Sequence, residues 1–570
     1  MIVRCVALAL LSLSSFLAVA QTPQQPPDAG RILQQTREPF RLPPPSPDLA
    51  PRLPEPKPAL GAQPKLRVKV AGFTFTGNTL LPESELQEKV REFVGKELNF
   101  DGLNDAATEV RAYFRSRGYF LAQAYLPEQT IRNGVVEIAI IEGRWGIIEL
   151  DKKPATRIST RLLAGIIGAH LQQGGVITET GLERPLLLIN DLPDATVTTE
   201  LRPSETIGAS NLRVNVDPGA GPLTGYVDAD NHGNRFSGEY RMGFNINWNQ
   251  PAEWGDRLTV RGFTTDEQMW YGRIAYDLPV GYWGTRVGAS YSRFDYALGK
   301  DFASLLASGE GEVTNVYAFH SLIRTRNTNM LLNVGTENKK LVDRIQSTTP
   351  VTVTEQNIYS YKLGVVGDFR DGVAGGGLNA YGVSYTWGNL GTTDVADPRH
   401  TQGNFNKWNF DLRRQQRLTD DASLLFSVSG QIASKNLASA EKISLGGPNG
   451  VRAYPVGEAT GDTGYVTQTE LRYIVPGTKI LGGDVTLFGF FDYGYAKINQ
   501  VPARDPNTNE ITDSENIRSF SGSGLGASLG KEGDFLLRIS ASWAYTYDEQ
   551  PQSDTARRVP RVWMQAIKWF

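Results

Sequence analysis

From Leu223 to Phe570 bulky apolar residues alternate with small or polar ones. Val287, Ala289 and Tyr291 oppose Gly288, Ser290 and Ser292; Tyr381, Val383, Tyr385 and Trp387 oppose Gly382, Ser384 and Thr386; Leu424, Phe426 and Val428 oppose Leu425, Ser427 and Ser429. Side chains on a strand point to opposite faces in turn, so each segment presents one apolar face and one mostly polar face. Many such segments, parted by turn residues, predict an all-β region over 219–570. Alternation fits a lipid-facing barrel and a soluble sandwich alike.

Upstream the apolar period lengthens. Over 66–143 the pattern predicts a strand at Leu66–Phe75, a turn at Gly77-Asn78 and two helices. The first begins near Pro82 with Leu86, Val90, Phe93 and Val94 on one face; the second carries Leu103, Ala107, Val110 and Phe114 and stops at Gly118. Strands Tyr119–Tyr125 and Val135–Ile141 follow, with a turn at Asn133-Gly134. A second β-α-α-β-β unit spans 144–218, with helices through Leu162, Leu163, Ile166 and Ile167 and through Leu182, Leu186 and Ile189, then strands near Thr196–Leu201 and Asn211–Val216. Pro185 lacks a backbone donor, which predicts a kink or a late start in that last helix.

The first 65 residues read differently. Arg4 precedes an apolar run closing with Ala18-Val19-Ala20, the form of a secretory leader over 1–20. Residues 21–38 hold one proline-free window, Asp28–Arg37, where Asp28 can cap a short helix; 39–65 is a proline-rich linker with polyproline II preference. The single cysteine, Cys5, lies in the leader, so the mature chain has neither a disulfide nor a cysteine-bound metal.

No stretch beyond the leader approaches the roughly 18–20 apolar residues of a membrane helix. A formal net charge of -3 gives no whole-chain attraction to nucleic acid. The four histidines, His170, His232, His320 and His400, show no zinc spacing, and no Walker loop, nucleophile elbow or H-E-x-x-H motif occurs. The sequence predicts no enzyme, no cofactor and no metal; for the acidic stretch Asp228–Asp230 a solvated turn outweighs a calcium loop.

Two segments carry more specific chemistry. Leu445–Pro455 is a glycine-rich loop with Gly450, Val451, Arg452, Ala453 and Tyr454 at its tip; Phe490–Gly494 is a strand on which Phe490, Asp492 and Gly494 share one face and Phe491 and Tyr493 the other. A guanidinium and a carboxylate can join through two parallel charge-assisted hydrogen bonds, which would fix the loop to a wall.

These two segments resemble the loop and F-x-D-x-G motifs of the TpsB transporters of two-partner secretion, the FhaC, ShlB and HecB group. Here Ala453 stands where that family has glycine, a mild departure if its φ is negative. Arg117-Gly118-Tyr119, Leu126-Pro127-Glu128-Gln129, Ile141-Glu142-Gly143, Asn190-Asp191-Leu192-Pro193 and Asp228–Gly233 extend the resemblance over nearly the whole mature chain. It implies two periplasmic POTRA-like units, 66–143 and 144–218, before a transmembrane antiparallel β-barrel of about 16 strands in the outer membrane of a Gram-negative bacterium. It also implies a plug-like helix bearing Arg31, Gln34, Gln35 and Arg37, and a C-terminal barrel signal in Trp569 and Phe570. Lys568 departs from the apolar preference there and is expected to snorkel to an interface. The function implied is recognition, secretion and in some members activation of one large exoprotein with a haemagglutinin-type N-terminal secretion domain, without ATP hydrolysis. Leu182, Leu186, Ile189, Thr196 and Thr198 are the expected recognition residues. Outer-membrane lipid and the barrel-assembly machinery are further expected partners. A barrel-assembly insertase is the alternative reading, with a passive porin or adhesin behind it.

Overall fold

The computed structural model describes residues 26–37, 40, 67–393, 397, 399–502, 516–545, 551, 553–554 and 558–570. The expected leader and nearly all of the expected linker lie outside these residues.

The alternating region closes on itself. Sixteen antiparallel strands, from Leu223–Asp230 to Arg561–Trp569, form a barrel in which the last strand pairs with the first. The closing register runs from Gln565 opposite Asp230 to Trp569 opposite Tyr226. Phe570 and Gly225 then exchange backbone N–H to C=O hydrogen bonds of 3.0 Å. Closure leaves no open edge, so every strand can satisfy its backbone inside lipid. Tyr291, Val383, Trp387 and Phe426 face outward and exposed, while Ser292, Thr386 and Ser427 are buried on the inner side. Lys568 is ion-paired with Asp534 rather than simply reaching for an interface.

The wall is uneven. Leu223–Asp230 has 8 residues and Thr352–Asp371 has 20, and at roughly 3.4 Å per residue the longer strand exceeds the ~25 Å apolar band of such barrels more than twofold. That tall side shelters an apolar cluster on the inner surface, including Phe236, Phe294, Tyr296, Leu341 and Ile358.

Before the barrel stand two units of the same design. The first contains β1 (Gly72–Thr76), α2 (Glu83–Val90), α3 (Phe100–Ser116), β2 (Gln123–Tyr125) and β3 (Val135–Ile141), α1 being the N-terminal helix Ala29–Gln34. The second contains β4 (Arg144–Lys152), α4 (Thr160–His170), α5 (Glu179–Asn190), β5 (Ala195–Pro203) and β6 (Ala209–Pro218). In each sheet the last strand lies centrally, parallel to the first and antiparallel to the middle one. The apolar stripes fill the cores: Leu86, Val90, Leu103, Ala107, Val110 and Phe114 in one, Leu162, Leu163, Ile166 and Ile167 in the other.

Four expectations shift. The expected strand at Leu66–Phe75 is divided into Val68–Lys69 and β1, and that at Tyr119–Tyr125 shrinks to β2 because Tyr119–Ala122 form a turn. Helix α2 ends at Val90 and a short 3-10 turn follows, which leaves Val94 exposed. Helix α5 starts at Glu179, capped by Thr178 through the Gly181 N–H, and passes Pro185 undivided, so no late start occurs.

The second unit is fixed to the turns at one end of the barrel. The Arg184 guanidinium donates to the carbonyls of Trp283 at 3.3 Å, Ser321 at 2.6 Å and Leu322 at 3.3 Å. Arg324 meets Asp191 through two bonds of 2.7 and 2.6 Å, and Ser159 N–H donates to Glu253 C=O at 2.7 Å. His170 lies against Trp283, with ring centroids 4.6 Å apart, and burial pushes its pKa down. Arg184→Ala should free three carbonyls and loosen this joint. The Ser321 amide, which donates to Gly284 C=O at 3.1 Å, is expected to exchange hydrogen roughly tenfold faster, while the distant Phe570 amide stays as it was.

Candidate functional site

Between the strands Ala422–Ala433 and Thr463–Ile480 the chain makes a long excursion, residues 434–462, which folds back into the barrel. Its tip is built by local turns: Gly450 N–H donates to Gly447 C=O at 3.0 Å, Val451 N–H to Leu445 C=O at 2.7 Å and Tyr454 N–H to Val451 C=O at 3.0 Å. Leu445, Val451, Ala453 and Tyr454 pack with Val466, Ala496 and Phe520 of the wall, and Tyr454 stacks on Phe520 with centroids 4.1 Å apart. Ala453 has no positive φ, so alanine sits there without strain. Gly494 is required by close approach, because a Cβ there would lie 2.9 Å from Val451 Cγ2.

At the tip Arg452 is held from every side. Its Nε and Nη2 donate to the Asp492 carboxylate at 2.9 and 2.8 Å, and its own backbone N–H donates to the same carboxylate at 3.0 Å. Nη1 donates to Glu470 at 2.6 Å, and the guanidinium lies 3.5 Å over the Phe490 ring. The Arg452 carbonyl accepts from Ser542 Oγ and Trp563 Nε1, each at 2.7 Å. Asp492 is fully buried and Arg452 is only 6% exposed. Charges so far from water persist only when paired and hydrogen-bonded, and this set meets that condition. Glu470 continues the network to Arg472 at 2.8 Å and to Arg538 at 2.8 and 3.0 Å. Phe490, Asp492 and Gly494 thus have three distinct tasks on one strand face: a ring under the guanidinium, a carboxylate against it, and space beside it.

The N-terminal helix is inside the barrel too. It spans Ala29–Gln34, shorter than the expected Asp28–Arg37, and Asp28 caps it by accepting from Arg31 N–H at 2.9 Å. Gln34 donates to the carbonyls of Ser439 and, at 3.0 Å, Lys442; Arg37 donates to Ala440 C=O at 2.6 Å. Gln35 accepts from Asn234 N–H at 3.1 Å, and its carbonyl accepts from Arg241 at 3.2 Å. The polar residues hold its C-terminal end, but Ala29, Ile32 and Leu33 are buried in the apolar cluster of the tall wall. That apolar seat was not foreseen; the adjacent Ile32-Leu33 pair was its one sequence signal. Asp230, in the acidic stretch, is ion-paired with Arg241 at 2.8 Å.

The expected recognition residues divide. Leu182, Leu186 and Ile189 are buried in the core of the second unit, so they are not available to a partner. A helical apolar stripe looks alike whether it faces its own sheet or a foreign chain, which is why the sequence misled. Thr196 and Thr198 are exposed on β5, an edge strand bonded only to β6. The opposite edge is partly covered, since Trp145 N–H donates to Gly175 C=O at 2.9 Å and Gly174 N–H to Trp145 C=O at 2.7 Å. Trp569 lies in the closing register and Phe570 beyond it. Glu470, Ser542, Trp563 and Arg538 were missed, because nothing in their spacing ties them to Arg452.

Residues 208–528 match the family described as haemolysin secretion/activation protein ShlB/FhaC/HecB, and residues 68–143 match the ShlB-type POTRA domain. The heme/hemopexin transporter protein HuxB of Haemophilus influenzae strain 86-028NP is 27% identical over 80% of this chain and 80% of its own. The outer membrane transporter CdiB of Dickeya dadantii is 22% identical over 84% of this chain and 83% of its own. Among solved structures, CdiB from Escherichia coli superposes with a TM-score of 0.70 at 21% identity, covering 92% of this chain and 94% of that one.

Arg452→Ala removes both side-chain hydrogen bonds to Asp492 and leaves that fully buried carboxylate only the backbone N–H of residue 452, whereas Asp492→Ala leaves Arg452 its 2.6 Å bond to Glu470. The first change should therefore loosen the loop more, by about 3 kcal/mol, and the double change should cost less than the sum of the two. Hydrogen exchange of the Val451 and Tyr454 amides measures this; equal effects or strict additivity would contradict it.

Proposed function

The chain belongs to the haemolysin secretion/activation protein family ShlB/FhaC/HecB, and from that premise we propose how its parts divide the work of export. It is an outer-membrane transporter of two-partner secretion that carries a large exoprotein from the periplasm to the cell surface, with its POTRA units in the periplasm. The observation that carries the reading is a closed barrel whose lumen holds both a latched loop and a seated helix, joined to units able to receive a chain.

The partner is proposed to bear a haemagglutinin-type N-terminal secretion domain and to dock as an added strand on β5, beside Thr196 and Thr198. Main-chain hydrogen bonds accept varied sequence there, while flanking side chains select it. Leu182, Leu186 and Ile189 support that strand from below. Helix α1 is the resting plug, and the Arg452 latch holds the loop in the position that leaves a defined path along the wall. Trp569 and Phe570 are proposed to be read by the barrel-assembly machinery when the chain inserts. No catalytic step is assigned to any residue.

Deleting the chain in its own bacterium should remove one large exoprotein from the medium and cell surface and leave other outer-membrane barrels at normal levels. General loss of barrels would favour an assembly insertase. Thr199→Pro, which takes one outward-facing N–H from the free edge of β5, should lower export of that same exoprotein without reducing insertion of the transporter. Removing residues 21–38 should raise single-channel conductance in a planar bilayer; unchanged conductance would leave α1 with no plugging role.

A further inference from the structure

The segment that seats α1 has its own anchor, separate from the Arg452 latch. Ser439, Ala440 and Lys442 turn their carbonyls to Gln34 and Arg37 of the N-terminal segment. Gly30 packs so closely on this segment that a Cβ would lie 2.5 Å from the Ala440 nitrogen. Glu441 faces the other way. Its carbonyl accepts from Lys407 Nζ at 2.8 Å and from Gln431 Nε2 at 2.9 Å. Its carboxylate bridges Lys339 at 2.5 Å and Lys407 at 2.7 Å, side chains on the well-separated wall strands Thr328–Ile345 and Gly403–Arg417. All three side chains are buried: Glu441 is 2% exposed, Lys339 4% and Lys407 5%.

We propose that Glu441 is a positioning residue for the plug: the Glu441–Lys339–Lys407 clamp holds the three-carbonyl seat in register and so sets how long α1 stays in the lumen. This rests on α1 being the resting plug. The Arg452 latch is tied to other strands, Thr463–Ile480 and Gly483–Lys497, so the clamp and the latch hold the loop to different parts of the wall. The charges give the clamp its sensitivity. Lys339 has a second carboxylate, Glu337, at 3.2 Å, but among the described residues Lys407 has ion-pair contact with Glu441 alone. Neutralising Glu441 sets two buried ammonium groups against each other beneath the seat, a destabilised arrangement that displacement of the segment relieves.

The test is single-channel recording of the full chain in planar bilayers. Glu441→Gln should raise the fraction of time spent at the helix-free conductance roughly tenfold. Lys407→Met, which removes a clamp arm without creating the repulsion, should act in the same direction but less, and it carries the test should the first variant fail to insert. Adding Glu441→Gln to the variant lacking residues 21–38 should change nothing further, because no helix remains to be seated. Wild-type dwell times in both single variants would overturn the proposal, and so would an equal effect in the helix-free background, which would place Glu441 in the pore itself. A helix-free variant that conducts like the wild type would overturn the plug reading instead, a result distinguishable from a clamp variant that stays closed.

Discussion

The lumen of this barrel is organised by the need to neutralise a guanidinium taken out of water. Arg452 reaches the inner wall on a loop and keeps almost no solvent, so its surroundings must supply both charge and hydrogen-bond acceptors. Asp492 and Glu470 supply them, Phe490 gives the guanidinium an aromatic face, and Arg538 and Arg472 keep Glu470 from being an excess negative charge. The geometry propagates: Gly494 makes room for Val451, and Ser542 and Trp563, on the strands Phe535–Ala544 and Arg561–Trp569, hold the Arg452 carbonyl. One loop residue thereby links four of the last five strands of the barrel. A pore that must pass a chain gains a fixed landmark in this way, because a well-paired buried charge has few alternative positions of similar energy.

What the sequence revealed and what it hid divide along physical lines. Alternation in the barrel was legible because a period of two survives any strand length, and the face shared by Phe490, Asp492 and Gly494 followed from that period alone. The carboxylate facing Arg452 was legible from residue type: an arginine on an apolar glycine-rich loop needs a partner. Glu470 was not, since it sits on a different strand and only the barrel's register brings it to Arg452. Leu182, Leu186 and Ile189 show the opposite failure, a true helical stripe assigned to the wrong neighbour. Helix α1 was found by its cap and its missing prolines; its plug role came from the family resemblance, with polar residues that merely permit it, whereas its burial depends on Ala29, Ile32 and Leu33.

The two occupants of the lumen are held by different chemistry. The loop is secured by ionic contacts that are strong when complete and costly when broken singly. Helix α1 has six residues, too few to be stable alone in water, and relies on an apolar cup and on hydrogen bonds to backbone carbonyls. Apolar burial is not directional and weakens gradually as surface is uncovered, so a short segment held this way can leave without breaking a buried ion pair. The helix is thus the element suited to departure and the loop tip the element suited to staying. Glu441 stands between these regimes, an ionic anchor beneath a seat for a loosely held helix, which makes it the point where a change of charge alters occupancy with the barrel wall intact.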